Sequence, residues 1–283
     1  MTTTVIMMNI DPSVIQKAID ARIIQDNPPE FRDHLGASII GGLCTREIWY
    51  GFRWAKVRKF SARMHRLFQR GHLEEARFEE YIRSISDNFW ALDPRTDRQI
   101  RVSDLYDYFG GSLDGVVRNP AGYQGDFLVE FKTHSVKSFT KLVMKGVKVA
   151  KPEHYTQMQI YLKYNPRLEG ALYFAVQKND DDWHIEYIER DPEWADKYVT
   201  RAKEIILAIE PPRGHDGASE YNFHCKHFCD YFSVCFENAA PHKSCRSCSN
   251  VSLTEQGWYC NLTSALLDSQ AQRAACSKYQ RGF

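Results

Sequence analysis

Apolar residues recur at helical spacing over residues 11–25, where Val14, Ile15, Ala18, Ile19 and Ile23 share a stripe behind Asp11-Pro12. Asn27-Pro28-Pro29 closes that segment. A second helical pattern runs from about Gly42 to Lys56. A third, about Ser61 to Ile85, sets Met64, Leu67, Gly71, Phe78, Ile82 and Ile85 on one face. The pattern then changes. Phe109–Val117, Phe127–Lys132, Gly170–Val176 and Trp183–Ile188 are rich in β-branched and aromatic residues between turn formers, and read as strands. Helices are expected around His154–Tyr164 and over about Pro192–Ile209, which stops at Pro211-Pro212. This order predicts an α/β core with a mixed sheet. Residues 211–220 read as a linker, giving a core over 1–214 and a Cys-rich module over 215–283.

Composition narrows the class without naming a partner. The 283 residues are 43% hydrophobic and 26% charged, enough for a substantial core with a solvated surface. Lys plus Arg is 37 against 36 for Asp plus Glu. No apolar run approaches the ~18 residues a membrane span needs. The opening MTTTVIMMNIDPS has no basic start and its apolar patch is broken at Asn9 and Asp11, so no secretory leader is expected. The expected location is intracellular and reducing: the cytoplasm, or the host cytoplasm for a phage-encoded protein.

Cysteine usage is lopsided. Seven of the eight fall within residues 225–276, and Cys44 stands apart. In a reducing compartment metal binding outranks disulfides. They divide into Cys44 with Cys225, Cys229 and Cys235, and a second set of Cys245, Cys248, Cys260 and Cys276. In the second set Cys245-x₂-Cys248 has zinc-knuckle spacing, with His242 as a substitute ligand. A small loop-rich tail needs such a staple to fold.

The chemistry-bearing stretch is Gly111-Ser-Leu-Asp114-Gly115, followed by Glu130-Phe131-Lys132. In a strand Glu130 and Lys132 share one face, while Phe127, Val129 and Phe131 take the other into the core. An antiparallel neighbour would put Asp114 beside Glu130. Two carboxylates so placed suit a hard divalent cation such as Mg²⁺. The bland reading is a turn at Asp114-Gly115 and an exposed strand face. On the third helix Glu74 and Glu75 both lie within about 60° of the apolar stripe, by the ~100° step per residue. Gln157 and Tyr161 are i, i+4 on one helix face, beside a packing face of Tyr155, Met158 and Leu162. A surface pair without a role is the alternative there.

In that order, Gly71-x-x-x-Glu75, Leu113-Asp114-Gly115, Glu130-Phe-Lys132 and Gln157-x-x-x-Tyr161 resemble the PD-(D/E)XK nuclease superfamily, in its RecB-like and lambda-exonuclease-like branches. The likeness covers roughly residues 35–190. It implies a restriction-endonuclease-like core, with Glu75, Asp114 and Glu130 as ligands of Mg²⁺ or Mn²⁺ or their close neighbours. Lys132 would be the catalytic lysine, with Gln157 and Tyr161 behind the site. Leu113 stands where the family usually has proline. The segment around Gly36–Arg46, with one early and three late cysteines, also resembles the iron–sulfur nucleases of the RecB-like group. That implies a 4Fe–4S cluster on Cys44, Cys225, Cys229 and Cys235. The Cys225-x₃-Cys229 spacing is one residue longer than the family norm, and His224 and His227 nearby make zinc a competitor.

Two basic segments flank the proposed site. Residues 44–70 hold eight Lys/Arg against one acid, Glu47, interleaved with Trp49, Tyr50, Phe52 and Trp54, and residues 131–152 hold six lysines and no acid. Arg46, Arg53, Lys56, Arg58, Lys59, Lys137 and Lys141 are the candidate DNA contacts, since phosphates need cations and aromatics stack unpaired bases. The expectation is a Mg²⁺- or Mn²⁺-dependent deoxyribonuclease, an exonuclease acting on single- or double-stranded DNA ends in recombination, repair or phage DNA metabolism. The rivals are a non-catalytic nucleic-acid-binding module with structural metal sites, and a redox or iron sensor.

Overall fold

The computed structural model describes residues 10–283. The reading of the first nine residues as lacking a leader lies outside them. Among the described residues no helix is long and apolar enough to cross a membrane.

Helix α1 (Pro12–Asp26) starts where the sequence places it, with the Asp11 carboxylate accepting the Ser13 N–H. Its apolar stripe stays largely uncovered: α1 touches α4, but no residue of it is buried, and Val14, Ile15 and Ile19 are more than half exposed. A short strand β1 (Leu35–Gly36) and turn α2 (Ala37–Ile40) lead to α3 (Thr45–Phe52), which is shorter than the pattern over 42–56. Helix α4 (Ala62–Ser84) matches its expected span, but of the expected stripe only Phe78 and Ile82 are buried.

The main sheet has five strands in the order β10-β9-β8-β7-β2, taking β2 as Asn88–Trp90, β7 as Gly115–Arg118, β8 as Asp126–His134, β9 as Ala171–Gln177 and β10 as Trp183–Ile188. Only β8 and β9 run parallel, so the sheet is mixed. Between β2 and β7 lie β3 (Leu92–Asp93), β4 (Arg98–Gln99), β5 (Arg101–Asp104) and β6 (Phe109–Ser112), with β6 joining β1 and β5 in a second, small sheet. The expected single strand over 109–117 is therefore two. It breaks at Leu113-Asp114, where the chain passes from one sheet to the other.

The parallel β8–β9 crossover holds two helices, α5 (Val136–Ala150) and α6 (Pro152–Tyr164). The sequence reading includes only α6. Helix α5 breaks at Gly146, whose φ of 70° lets the next N–H, that of Val147, reach the Glu186 carboxylate. Helix α7 (Pro192–Leu207) follows β10. After it come α8 (Phe223–Phe228), α9 (Phe232–Phe236), a small antiparallel sheet of β11 (Val251–Thr254), β12 (Gly257–Cys260) and β13 (Ala265–Leu266), and α10 (Ser269–Ala274).

Helices flank both faces of the main sheet. On one face Leu128, Tyr173 and Ala175 join Trp49, Phe109, Met158 and Tyr161 in the larger core, which also takes in Tyr231, Val234 and Trp258 from the carboxy-terminal region. On the other, Phe127, Val129, Phe131 and Phe174 pack under Phe78 and Ile82 of α4. Covered on both sides, β8 is the central scaffold on which any side chain is held rigidly.

Candidate active site

The alternation along β8 sends Phe127, Val129 and Phe131 under α4 and turns Glu130 and Lys132 to the other face, as expected. Pairing with β7 opposes Gly115 to Val129, so the preceding residue, Asp114, falls beside Glu130. The Asp114 carboxylate accepts the Phe131 N–H at 2.8 Å, which pins it at the point where the chain changes sheets.

Glu130 is fully buried, with 0% exposure, and its Oε1 accepts from the Lys132 ammonium. Lys132 Nζ also donates to the Phe131 carbonyl at 3.0 Å and stands 3.7 Å from Asp114 Oδ2. The other Glu130 oxygen, Oε2, is buried without a hydrogen-bond partner. A buried carboxylate lone pair normally finds a donor or a metal. Burial, then the Asp114 charge, pushes the Glu130 carboxyl well above the ordinary carboxylate range. Burial alone would lower the Lys132 ammonium, but Glu130 and Asp114 outweigh it and hold the lysine protonated.

Gln157 and Tyr161 are buried, not on the surface, and Gln157 Nε2 donates to the Tyr161 hydroxyl at 3.2 Å. Helix α6 is buried on every side from Tyr155 to Leu162. Gly111 makes room for the tyrosine: a Cβ there would come within 2.5 Å of its hydroxyl oxygen. Burial, followed by the charge of Glu130, raises the Tyr161 hydroxyl and keeps it a neutral donor.

Glu74 and Glu75 of α4 line a cleft of about 440 Å³ together with Lys132 and His134. Glu74 pairs with Arg77 at 2.8 Å, and Arg77 in turn grips Asp181. Glu75 is the freer of the two, 3.4 Å from His72 and close enough to add to the charge felt by Glu130. Among the described residues no three His, Cys, Asp or Glu side chains are assembled to hold an ion as they stand. In the carboxylate set, Lys132 takes one Glu130 oxygen and Glu75 turns to His72. The unpartnered buried oxygen and the hard-oxygen donors nonetheless fit a Mg²⁺- or Mn²⁺-type ion.

Sequence reasoning misses the back of this cleft. The Tyr173 hydroxyl lies 2.9 Å from His134 Nε2 and 2.8 Å from His154 Nδ1, and His134 Nδ1 meets Ser138 Oγ at 3.0 Å. Burial first, then nearby lysines, lowers His134 to about 4; burial, with Lys132 beside it, lowers His154 to about 2. Both are neutral, so the hydroxyl can donate to one ring and accept from the other. His134 continues the period of Glu130 and Lys132; carrying β8 two residues further would have found it.

The proposed DNA contacts divide. Lys59, Lys137 and Lys141 are exposed and Lys56 is half-buried, while exposed Arg58 pairs with Asp230 at 3.2 Å. Arg53 is a correction: only 7% exposed, it lies over the rings of Trp49 and Trp258 and cannot reach a phosphate. Arg46 also faces inward, donating to the Pro212 carbonyl at 2.7 Å and the Cys235 sulfur at 3.4 Å.

None of the eight cysteines is in a disulfide. Cys44 caps α3 and Cys225 lies in α8, both buried. Burial, with Tyr231 opposing and the charges of Glu47, Cys44 and Cys225 adding, pushes the Cys229 thiol up to about 12, so these three share one neighbourhood. The histidine at Cys225 is neither of those expected: His215 Nε2 lies 3.4 Å from its sulfur, whereas His224 faces Glu47. Cys245, Cys248, Cys260 and Cys276 line one small cavity, and His242 stacks on Phe31 instead.

No family model matches the chain, and no curated protein matches it. Among solved structures it is similar to that of SSO0001, with 15% identity over 78% of this chain and 96% of the other and a TM-score of 0.45. It is also similar to an alkaline exonuclease (LHK-Exo) from Laribacter hongkongensis, with 19% identity over 67% and 90% of the chains and a TM-score of 0.40. The same enzyme in complex with dAMP gives 18% identity over the same shares and a TM-score of 0.42. At these scores the likeness carries no residue role across.

Proposed function

We propose that the chain is a divalent-metal-dependent deoxyribonuclease that degrades DNA from its ends. The observation that supports this best is the meeting of Asp114, Glu130 and Lys132 at adjoining strand positions, with the second Glu130 oxygen buried and unpartnered and Lys132 reaching the wall of an open cleft.

Asp114 and Glu130 would hold Mg²⁺ or Mn²⁺, with Glu75 at the rim. Such an ion lowers the pKa of a bound water and neutralises charge on a scissile phosphate. Lys132, held protonated, orients the attacking water by donating to it and stabilises negative charge as it develops on the phosphate. Tyr161 and Gln157 close the rear of the site and keep the strand residues in place. The neutral His134–Tyr173–His154 chain supports the same strand from the crossover side. Lys56, Lys59, Lys137 and Lys141 bring the DNA backbone in by charge. The proposal extends to a 4Fe–4S cluster on Cys44, Cys225, Cys229 and Cys235, a staple between α3 and the segment after α7 that takes no part in the chemistry.

The test is end-labelled single- and double-stranded DNA, with covalently closed circles as control, incubated with Mg²⁺, Mn²⁺ or EDTA. Metal-dependent loss of linear substrate with circles left intact is expected. Binding without loss under every metal condition would defeat the nuclease reading; equal loss of circles would defeat the exonuclease part.

A further inference from the structure

Four cysteines that the active site does not use come together at the end of the chain. Cys245 opens a single 3₁₀ turn, Cys248 follows it, Cys260 ends β12 and Cys276 follows α10. All four border one cavity of about 20 Å³ whose other walls are largely apolar, among them Val251, Leu262 and Leu267. That is room for an occupant of roughly one water. Water would find few partners there, because thiols are weak donors and acceptors. The Cys248 N–H donates to the Cys245 carbonyl at 3.0 Å, closing the first turn, and the Cys245 thiol donates to the Ala271 carbonyl at 3.3 Å, which ties that turn to α10. Three separate segments of the chain therefore bring their cysteines to one shared space.

The knuckle has a second task. Arg246, between the first two cysteines, is only 2% exposed and is driven into the core, its guanidinium 3.8 Å from the centre of the Trp54 ring. It donates to the Phe52 and Asp33 carbonyls at 3.3 and 3.0 Å, and to Gln272 Oε1 at 2.8 Å. Gln272 belongs to α10, just before Cys276. A buried arginine is costly unless its fork is held in one geometry. The strands β11–β13 are short, and of their residues only Trp258 is buried. Apolar packing alone supplies little to hold that geometry.

We propose that Cys245, Cys248, Cys260 and Cys276 bind one Zn²⁺ ion as a structural tetrathiolate, and that this ion seats Arg246 against Trp54. Four soft thiolates around a cavity the size of one atom select zinc over a hard cation. The sulfurs do not yet stand in joint coordination. Side-chain rotation about the cavity brings them in, which is the usual coupling of such sites to folding.

The full-length protein, purified without added metal, is analysed for zinc and iron. It is then titrated with a mercurial thiol reagent while released zinc is read with a chromogenic chelator. About one zinc per chain is expected, released in step with four thiols and accompanied by a change in tryptophan fluorescence as Arg246 leaves Trp54. Cobalt-exchanged protein should show the sulfur-to-metal charge-transfer absorption of a tetrathiolate, a readout that does not depend on any variant folding. Cys248→Ser and Cys276→Ser should each lose the zinc, whereas Cys225→Ser and Asp114→Asn should retain it. Protein that holds no zinc and takes up neither zinc nor cobalt overturns the proposal. So does zinc lost from Cys225→Ser but kept in Cys276→Ser, or iron bound by the 245–276 set.

Discussion

Replacing Lys132 by methionine separates its structural from its chemical role. Glu130 is fully buried with one oxygen already unpartnered, so Lys132→Met leaves a carboxylate with neither charge nor hydrogen bond to offset its burial. Removing one partner of a buried ion pair costs about 3–5 kcal/mol. The Lys132 side chain retains 26% exposure, which puts the loss near the lower bound, about 3 kcal/mol. Part of that is relieved by Glu130 taking up a proton, since its carboxyl is already raised by burial and by Asp114. In Glu130→Gln/Lys132→Met no charge is left to desolvate, and stability should return to within about 1 kcal/mol of the parent. Activity should not return. Urea unfolding at pH 7 without added Mg²⁺ or Mn²⁺, followed by tryptophan fluorescence, reads the first quantity; Mn²⁺-dependent loss of end-labelled DNA reads the second. A double variant as unstable as the single would show that the pair is not coupled. Parental nuclease activity in Lys132→Met would remove the lysine from the mechanism.

Asp114→Asn keeps an acceptor for the Phe131 N–H; it should fold normally, lose Mn²⁺ binding by calorimetry and drop at least about 100-fold in cleavage. The pKa values of His134 and His154 fall on folding, so below about 6.5 the unfolded chain binds more protons and stability declines with acidity. With a folded value of about 4, His134 alone accounts for up to about 3 kcal/mol by pH 4. His134→Gln should flatten the acid limb of a denaturation series, and an unchanged limb would contradict this origin. Lys59→Ala/Lys141→Ala should weaken DNA binding and reduce the salt slope by about two units, whereas Arg53→Ala should lower the melting temperature and leave that slope alone. Anaerobically purified protein should show visible absorbance and bound iron that Cys225→Ser abolishes, and a parent without iron would contradict the cluster.

The pairing of Asp114 with Glu130 was legible because it depends on local periodicity. The i, i+2 rule fixes the face of Glu130 and Lys132, and a sixteen-residue separation suits an antiparallel neighbour. What was not legible depends on distant partners. Leu113 and Asp114 continue the alternation without interruption, so nothing local reveals that β6 pairs with β1 and β5 while β7 pairs with β8 and β2. Helix α5 is amphipathic, with Phe139, Leu142, Val147 and Ala150 buried and its lysines exposed, and only the break at Gly146 interrupts its period; counted as a basic segment, it is not read as a helix. Arg53 reads as a surface cation in any composition argument, and only the arrival of Trp258 from far along the chain makes it a core residue. The apolar face of α1 is the converse, a periodic pattern that its contact with α4 leaves largely exposed.

The switch of sheets at Leu113-Asp114 also bears on how the molecule would fail. One side of that joint is anchored in the rigid central sheet. The other belongs to the small sheet, into which the last third of the chain plugs through the Tyr108 hydroxyl on the Thr254 carbonyl at 2.7 Å. Loosening the far end would tilt β6 and drag the aspartate off its mark by a fraction of an ångström. Such damage would show as weakened affinity for the proposed ion in a protein that still melts cooperatively.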